Sequence, residues 1–347
     1  MSPIKVGLAI ATVFVLAVAA AFELHGGARR SEIPSLGGAT QWLNSPPLTP
    51  EALRGKVVIV DFWTFTCINW MRTFPYLRAW SAKYGSDKLV IVGAHTPEFS
   101  IERDIDNVRS EARRLGVEYP IAVDTDYGVW NAFSNSYWPA LFLFDAQGQL
   151  RHRHFGEGGY EETEKILQQL LEEAGAKVDH RFATPEVRAI EEPGDDLNLR
   201  SPETYVGLDR TEHFSSPGGA ARDRQQTYRF PEKLAVNRWA LSGDWTVGGE
   251  IAASNSAGSR VAYRFHARDV NLVMAPPLRA TPVKFRVLLD GKPPGVNHGS
   301  DVDDQGMGSL TEPRLYQLIR QRGSIGDQQF EIEFLDPGAK VFSFTFG

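Results

Sequence analysis

The chain has 347 residues, 42% of them hydrophobic, which is enough for two globular domains of about 150 residues each. Its 37 Lys and Arg against 43 Asp and Glu leave a formal net charge of -6 with no basic stripe, which excludes a nucleic-acid partner. A single cysteine, Cys67, excludes any internal disulfide, so the fold stands on its cores alone and the thiol is free, reactive or intermolecular.

At the N-terminus Lys5 precedes an uncharged, mostly apolar run over 6–22, followed by Glu23, His25, Arg29 and Arg30. The run is long for the core of a signal peptide and short for a comfortable membrane span of about 20 residues. Because it is apolar on every face and starts at the terminus, 1–25 is read as a signal peptide or signal anchor. Small residues at Ala17, Ala19 and Ala21 suit a signal peptidase, and both fates stay open. Either fate implies export to the cell envelope, periplasmic or membrane-anchored with the domains outside the cytoplasm, and contact with the membrane through this segment if it is uncleaved. Residues 26–47, rich in Gly, Ser and Pro, read as a tether.

From 48 to 176 strands and helices alternate, which calls for a sheet covered on both faces. The continuous apolar runs at 57–62 and 89–94 have the character of central strands, and Ile101, Ile105, Val108, Ala112 and Leu115 follow a helical spacing. A short strand at 121–123, a short helix at 127–133, a strand at 141–144 with a hairpin partner at 152–155, and a closing helix through Ile166, Leu167, Leu170 and Leu171 complete the unit. Residues 177–202, with Pro185, Pro193 and Pro202, form a linker or a strap lying on one of the domains. Beyond it, over 203–347, short alternating segments at 260–265, 270–274, 284–290, 329–335 and 341–346 are separated by Gly, Pro and Asp turns. That texture belongs to an antiparallel β-sandwich.

Cys67 sits where the 57–62 strand runs into a helix, in the string VVIVDFWTFTCINWMRTFP. Unpaired backbone N–H groups and the positive end of the helix dipole stabilise a thiolate there, so a lowered thiol pKa and a nucleophile are expected. Asp61-Phe62-Trp63 before the cysteine, Pro75 inside the following helix and Trp138-Pro139 ahead of the 141–144 strand together resemble the thioredoxin family. The resemblance implies a cis proline beside the active cysteine. One element departs from it: the family's CxxC motif has its second cysteine where this chain has Trp70. A dithiol site resolves its mixed disulfide with that second thiolate, so the ordinary reductase cycle is excluded for one molecule acting alone.

The wider match is closer than the generic fold. FWTFTCINWMRTFPYL, VGAHTPEF at 92–99 and VWNAFSNSYWPALFLFDAQGQLRHRHFGEGGY at 129–160 are similar to the soluble thioredoxin-like region of the DipZ family of envelope thiol-disulfide proteins. The β-rich tail, from Ser201-Pro202-Glu203-Thr204-Tyr205 through Trp239 and Trp245 to the terminal Phe344-Thr345-Phe346-Gly347, resembles the module that follows it there. The fold class this implies is an α/β thioredoxin-like fold followed by an all-β sandwich of carbohydrate-binding-like or jelly-roll type. The family's multi-helix membrane domain has no counterpart in these residues, so electrons are expected from a separate donor.

The candidate catalytic residue is Cys67, with Asp61, Trp63, Trp70, Pro75, His95, Glu98, Trp138 and Pro139 as active-site support. In thioredoxin relatives the residue matched by Asp61 is a buried carboxylate that assists proton transfer at the second cysteine; here it is either a structural acid or a proton acceptor for Cys67. Trp70, on the first helical turn, either packs in the core or offers an apolar platform to a client, and Trp63, Phe65 and Trp138 extend the aromatic surface. His95 and Glu98 end a strand on the side where α/β proteins place their sites, positioned to tune Cys67. His152 with His154 and the trio Asp301, Asp303, Asp304 lack the ligand spacing of a metal site, and no cofactor is expected. Tyr205, Tyr228, Trp239 and Trp245 offer rings for stacking on a sugar, or fill the sandwich core.

The expected function is an envelope thioredoxin-like thiol-disulfide oxidoreductase acting through one cysteine on a client protein or a small-molecule thiol or disulfide, with an external resolving thiol. The alternatives are a non-catalytic thioredoxin-fold binding protein with a glycan- or protein-binding sandwich, and a one-cysteine peroxidase. For the peroxidase Thr64 fits the motif of that class and Val60 does not.

Overall fold

The computed structural model describes residues 32–85, 88–277 and 281–347. The apolar run over 6–22 lies outside the described residues. Among the described residues no helix is long and apolar enough to cross a membrane.

The first sheet is built from β1 (Gln41–Leu43), β2 (Val57–Trp63), β3 (Leu89–His95), β4 (Ile121–Val123), β5 (Ala140–Phe144) and β6 (Leu150–Phe155), in the order β1-β4-β3-β2-β5-β6. Every residue of β2 is buried, Asp61 included, as a strand apolar at all its other positions requires. It pairs parallel with β3 and antiparallel with β5, so it lies at the centre of the sheet. The helices are α1 (Pro50–Leu53), α2 (Ile68–Tyr84), α3 (Ile105–Leu115), α4 (Gly128–Ala132) and α5 (Tyr160–Glu173). α2 starts directly after Cys67, and α3 starts at Asp104, whose side chain accepts the Asp106 N–H. The helix expected from 101 is a 3-10 turn over Ser100–Arg103 before that cap.

The stretch expected as a tether is built into this sheet from residue 32 onward. Thr40 donates its N–H to Val123 O, β1 adds to the edge of β4, and Leu36 is fully buried. Pairing with a neighbour makes β1 a strand; its three residues carry no periodicity of their own.

The second sheet system is all antiparallel: β7 (Thr204–Tyr205), β8 (Gln225–Tyr228), β9 (Arg238–Val247), β10 (Ala252–Ser254), β11 (Ser259–Phe265), β12 (Asp269–Ala275), β13 (Val283–Leu289), β14 (Met307–Leu310), β15 (Arg314–Arg320), β16 (Gln328–Phe334) and β17 (Lys340–Phe346). β14, β13, β16, β11 and the first half of β9 make one layer; the second half of β9 continues through β10, β17, β12 and β15 as the other. Gly243, with φ +91°, marks the point where β9 passes between layers, and a Cβ there would lie 2.9 Å from Ser259 Cα. Trp239, Trp245, Tyr263, Phe285, Phe334 and Phe344 fill the space between the layers.

The outer face of the second layer is turned toward the first sheet. Val273, Ala275, Leu315 and Phe342 join the same buried cluster as Phe74, Leu77 and Phe99 of the first unit. The segment between the two units is a strap on α2 and α5: Arg78 of α2 makes a two-pronged ion pair with Glu191 at 2.9 and 2.8 Å, and the Ala183 N–H is donated to Glu164 of α5 at 2.6 Å.

Candidate active site

β2 delivers Asp61 and Trp63, the loop after it delivers Cys67, and Cys67 is the N-cap residue of α2 with φ -77° and ψ 108°. Cys67 is half-buried and opens onto a cleft of about 470 Å³. On the first unit's side the cleft is lined by Thr66, Asn69, Glu98, Phe99, Tyr137 and Trp138. The strap contributes Leu199, Ser201 and Pro202, and the second unit contributes Glu203, Tyr205, Arg210, Ser343, Thr345 and Phe346. The second unit therefore walls the cysteine.

The helix start is where the sequence places it, but the expected lowering of the thiol is overturned. Burial pushes the Cys67 thiol up, and the carboxylates of Glu98 and Glu203 push it further; the N–H groups of Trp70 and Asn69 pull the other way and are outweighed. A helix N-terminus acts within its first turn, whereas loss of water and two nearby negative charges act on the same sulfur together.

Trp70 is a core residue and not a platform. It is fully buried, stacked between Trp63 at 4.3 Å and Phe74 at 5.0 Å between ring centroids. Its indole N–H donates to Asp61 Oδ2 at 2.9 Å, and the Tyr119 hydroxyl donates to the same oxygen at 2.8 Å. Asp61 is wholly buried, Oδ1 has no partner, and burial pushes its pKa up to about 7 against these two donors. The side chain in the place of a second thiol thus bonds the buried acid directly.

Trp63 and Phe65 are also fully buried, so they add nothing to the surface around Cys67. A side chain at Gly93 would put its Cβ 2.7 Å from Trp63 Nε1, which explains glycine beside that indole. His95 pairs in register with Trp63 and its ring is enclosed, edge-on to Trp63 and stacked on Phe65, with neither ring nitrogen hydrogen-bonded. Burial lowers its pKa to about 3, so the imidazole is neutral. The expected tuning of Cys67 by His95 as a charged group is corrected on that ground, whereas Glu98 does reach the cleft. Its carboxylate accepts the Tyr205 hydroxyl at 2.6 Å and Arg210 Nη1 at 3.1 Å. Pro75 lies buried within α2, and the Trp138–Pro139 peptide is cis. Trp138 lines the cleft and packs on Trp130 at 4.3 Å.

Several site residues carry no local signal in the sequence. Glu102, buried, accepts from the Thr66 hydroxyl at 2.5 Å and from the N–H groups of Glu98 and Phe99 at 2.6 and 2.7 Å, joining the Cys67 loop to the Glu98 loop. Burial pushes its pKa up to about 7. Glu203 is exposed at the mouth of the cleft, and loss of water on its inner side and then the charge of Glu98 push its pKa up. Glu203 stood out in the sequence only as part of the 201–205 stretch that carries the family resemblance.

The remaining candidates are structural. Among the described residues no three His, Cys, Asp or Glu side chains gather as metal ligands. Asp301 is paired with Arg314 at 2.7 Å and Asp303 caps the Gln305 and Met307 N–H groups. Trp239, Trp245 and Tyr228 are buried in the sandwich core, which withdraws their rings from any sugar; Tyr205 faces the Cys67 cleft instead.

A central β2, a helix beginning at the cysteine and a cis proline ahead of β5 define a thioredoxin-like protein, and the chain belongs to the thioredoxin-like superfamily. It is similar to the thiol-disulfide oxidoreductase YkuV of Bacillus subtilis, 31% identical over 144 residues that cover 42% of this chain and 97% of that protein. Over a longer stretch it is similar to Protein DipZ of Mycobacterium tuberculosis, 34% identical over 322 residues, 90% of this chain. The chain spans 42% of the length of that relative. Residues 201–347 match the family described as "Thioredoxin like C-terminal domain". A solved structure, the solution structure of a thioredoxin-like protein in the oxidized form, is 34% identical, covering 42% of this chain and 97% of that one with a TM-score of 0.39.

Proposed function

We propose that the chain is a thiol-disulfide exchange protein of the cell envelope that uses Cys67 as its one nucleophile, with a separate thiol resolving the mixed disulfide and serving as electron donor. The observation that carries this reading is the position of Cys67 at the start of α2, open to a cleft, with Trp70 filling the place of a second thiol. The printed names of the relatives, Thiol-disulfide oxidoreductase YkuV and Protein DipZ, support the exchange chemistry. Export rests on the apolar run over 6–22. We read the chain as a thioredoxin-like unit over 48–176 and a sandwich over 203–347, joined by 177–202. Asp61, Trp63, Trp70, Pro75, His95, Trp138 and Pro139 support the site by packing, and Glu98 by its charge.

The raised thiol favours a second reading, a binding protein of the same fold that does not turn over, because a protonated sulfur is a weak nucleophile at neutral pH. Exchange of Cys67 with the neutral 2-hydroxyethyl disulfide, followed by intact mass against pH, separates the two. Exchange predicts an adduct absent from Cys67→Ser and a rate that climbs about tenfold per pH unit through pH 9, as the thiolate fraction of a raised thiol does. The absence of any adduct at pH 9 contradicts exchange, whereas a rate already level at pH 7 would show a lowered thiol and remove the ground of the binding-only reading.

A further inference from the structure

The cleft over Cys67 has the size of a small-molecule site and an uneven distribution of polar groups. Its volume of about 470 Å³ lies in the range of sites that enclose small ligands. Ser343 and Thr345, on β17, line it with 0% and 8% of their surfaces exposed, and neither hydroxyl has a hydrogen-bond partner. Buried hydroxyls are normally paired, so two of them on one wall of a cleft point to a polar ligand. The charged groups are Glu98, Glu203 and Arg210. Arg210 is already committed, bonded to Glu98 at 3.1 Å and lying 3.5 Å over the Tyr205 ring, which leaves an excess negative charge facing the sulfur. Apolar contact is available from Trp138, Leu199 and Phe346.

We propose that this cleft binds a low-molecular-weight disulfide carrying a primary ammonium group, an aminothiol in its oxidised form, with the ammonium at Glu98 and Glu203, its polar portion at Ser343 and Thr345, and its sulfur at Cys67. The inference rests on the exchange chemistry proposed above and names its substrate class. Cys67 loses its proton and its Sγ attacks one sulfur of the ligand disulfide; the Cys67–S bond forms, the ligand S–S bond breaks, and the other half leaves as a thiolate that takes up a proton. A second low-molecular-weight thiol then attacks the outer sulfur of the mixed disulfide, releases Cys67 as a thiol and departs as a disulfide with the bound half. Both steps are exchanges with no net oxidation. The ligand's ammonium would offset the charges of Glu98 and Glu203, which add to burial in holding the thiol protonated in the free protein, and so favours the thiolate when the right ligand is seated.

The test compares exchange rates of Cys67 with cystamine, neutral 2-hydroxyethyl disulfide and anionic 3,3′-dithiodipropionate at pH 7.5, by intact mass, on the folded chain and on the same chain in denaturant. The expected result is a preference for cystamine over the anion at least about tenfold greater folded than unfolded, an effect corresponding to one pKa-unit of differential interaction. Glu203→Gln, at the exposed mouth, should remove most of that preference, and Ser343→Ala should raise the cystamine concentration needed for half-maximal rate. Equal preference in the folded and unfolded chain, or a Glu203→Gln variant that keeps the full preference, overturns the inference. Failure with cystamine while Cys67 still captures a protein disulfide overturns the substrate class and leaves the exchange reading; failure with both overturns both.

Discussion

Trp70 and Asp61 form one buried unit, and its energetics are accessible to single substitutions. Trp70→Cys would restore the family's dithiol spacing, but it removes a fully buried indole from between Trp63 and Phe74 and takes a donor from Asp61. A cost of about 3–5 kcal/mol is expected from the lost volume, read as a fall in the urea midpoint. A variant as stable as the parent would show that the aromatic stack does not hold this helix. Asp61 bears on pH. Its folded pKa of about 7 stands above the ordinary value of an unfolded Asp, so its contribution is fully present below about pH 4 and is lost as pH rises through 7, at about 1.4 kcal/mol per pH unit between. Asp61→Asn, which keeps an oxygen for Trp70 and Tyr119, should therefore gain on the parent between pH 5 and pH 8 in urea unfolding. A constant difference across that range would place the Asp61 pKa at its ordinary value. At this scale the position of Cys67 was legible, because the apolar run of β2 and the spacing of α2 are local signals. The sign of its environment was not, because Glu203 and Arg210 reach it from the far side of the cleft.

At the scale of elements, α2 carries both the cysteine and the joint between the two units. Arg72, on its second turn, bonds Asp269 at the start of β12 at 3.2 Å, where Arg320 also holds Asp269 at 3.1 and 3.0 Å. All three side chains are buried, and desolvation raises the Asp269 pKa against the pull of the arginines. Asp269→Ala takes the shared buried acceptor from two buried guanidinium groups, which keep only the more exposed Glu157 and Glu192, and is expected to cost about 3–5 kcal/mol in urea unfolding. A loss under about 1 kcal/mol would mean that water or a neighbouring acid, such as Glu157 or Glu192, takes over. The strands at 57–62 and 89–94 and five in the sandwich, β11, β12, β13, β16 and β17, were readable because runs and alternation are properties of the strand itself, whereas β9 and β15 were not marked out. β1 was not, since three residues in a Gly- and Pro-rich stretch become a strand only on meeting β4.

At the scale of the molecule, the two units share a core. Phe99 packs on Phe342 at 5.5 Å, Glu98 is bonded to Tyr205 and Arg210, and Val273, Ala275 and Leu315 close over residues of α2 and α3. Shared burial couples their unfolding, so calorimetry should show one transition with equal calorimetric and van't Hoff enthalpies. Two resolved transitions would show that the contact surface contributes little. The change in texture after residue 202 was enough to read an α/β unit followed by an all-β one, a reading that needs only strand runs and helix spacing along the chain. The thioredoxin-like site without its second thiol was read from a family resemblance, carried by Asp61-Phe62-Trp63, Cys67, Pro75 and Trp138-Pro139 with Trp70 in the place of the second cysteine. That the sandwich walls the cysteine, that Trp70 binds Asp61, and that burial, aided by two carboxylates, outweighs the helix N-terminus all depend on groups distant in sequence meeting in a desolvated space. Their electrostatic balance exists only once both units have closed around it.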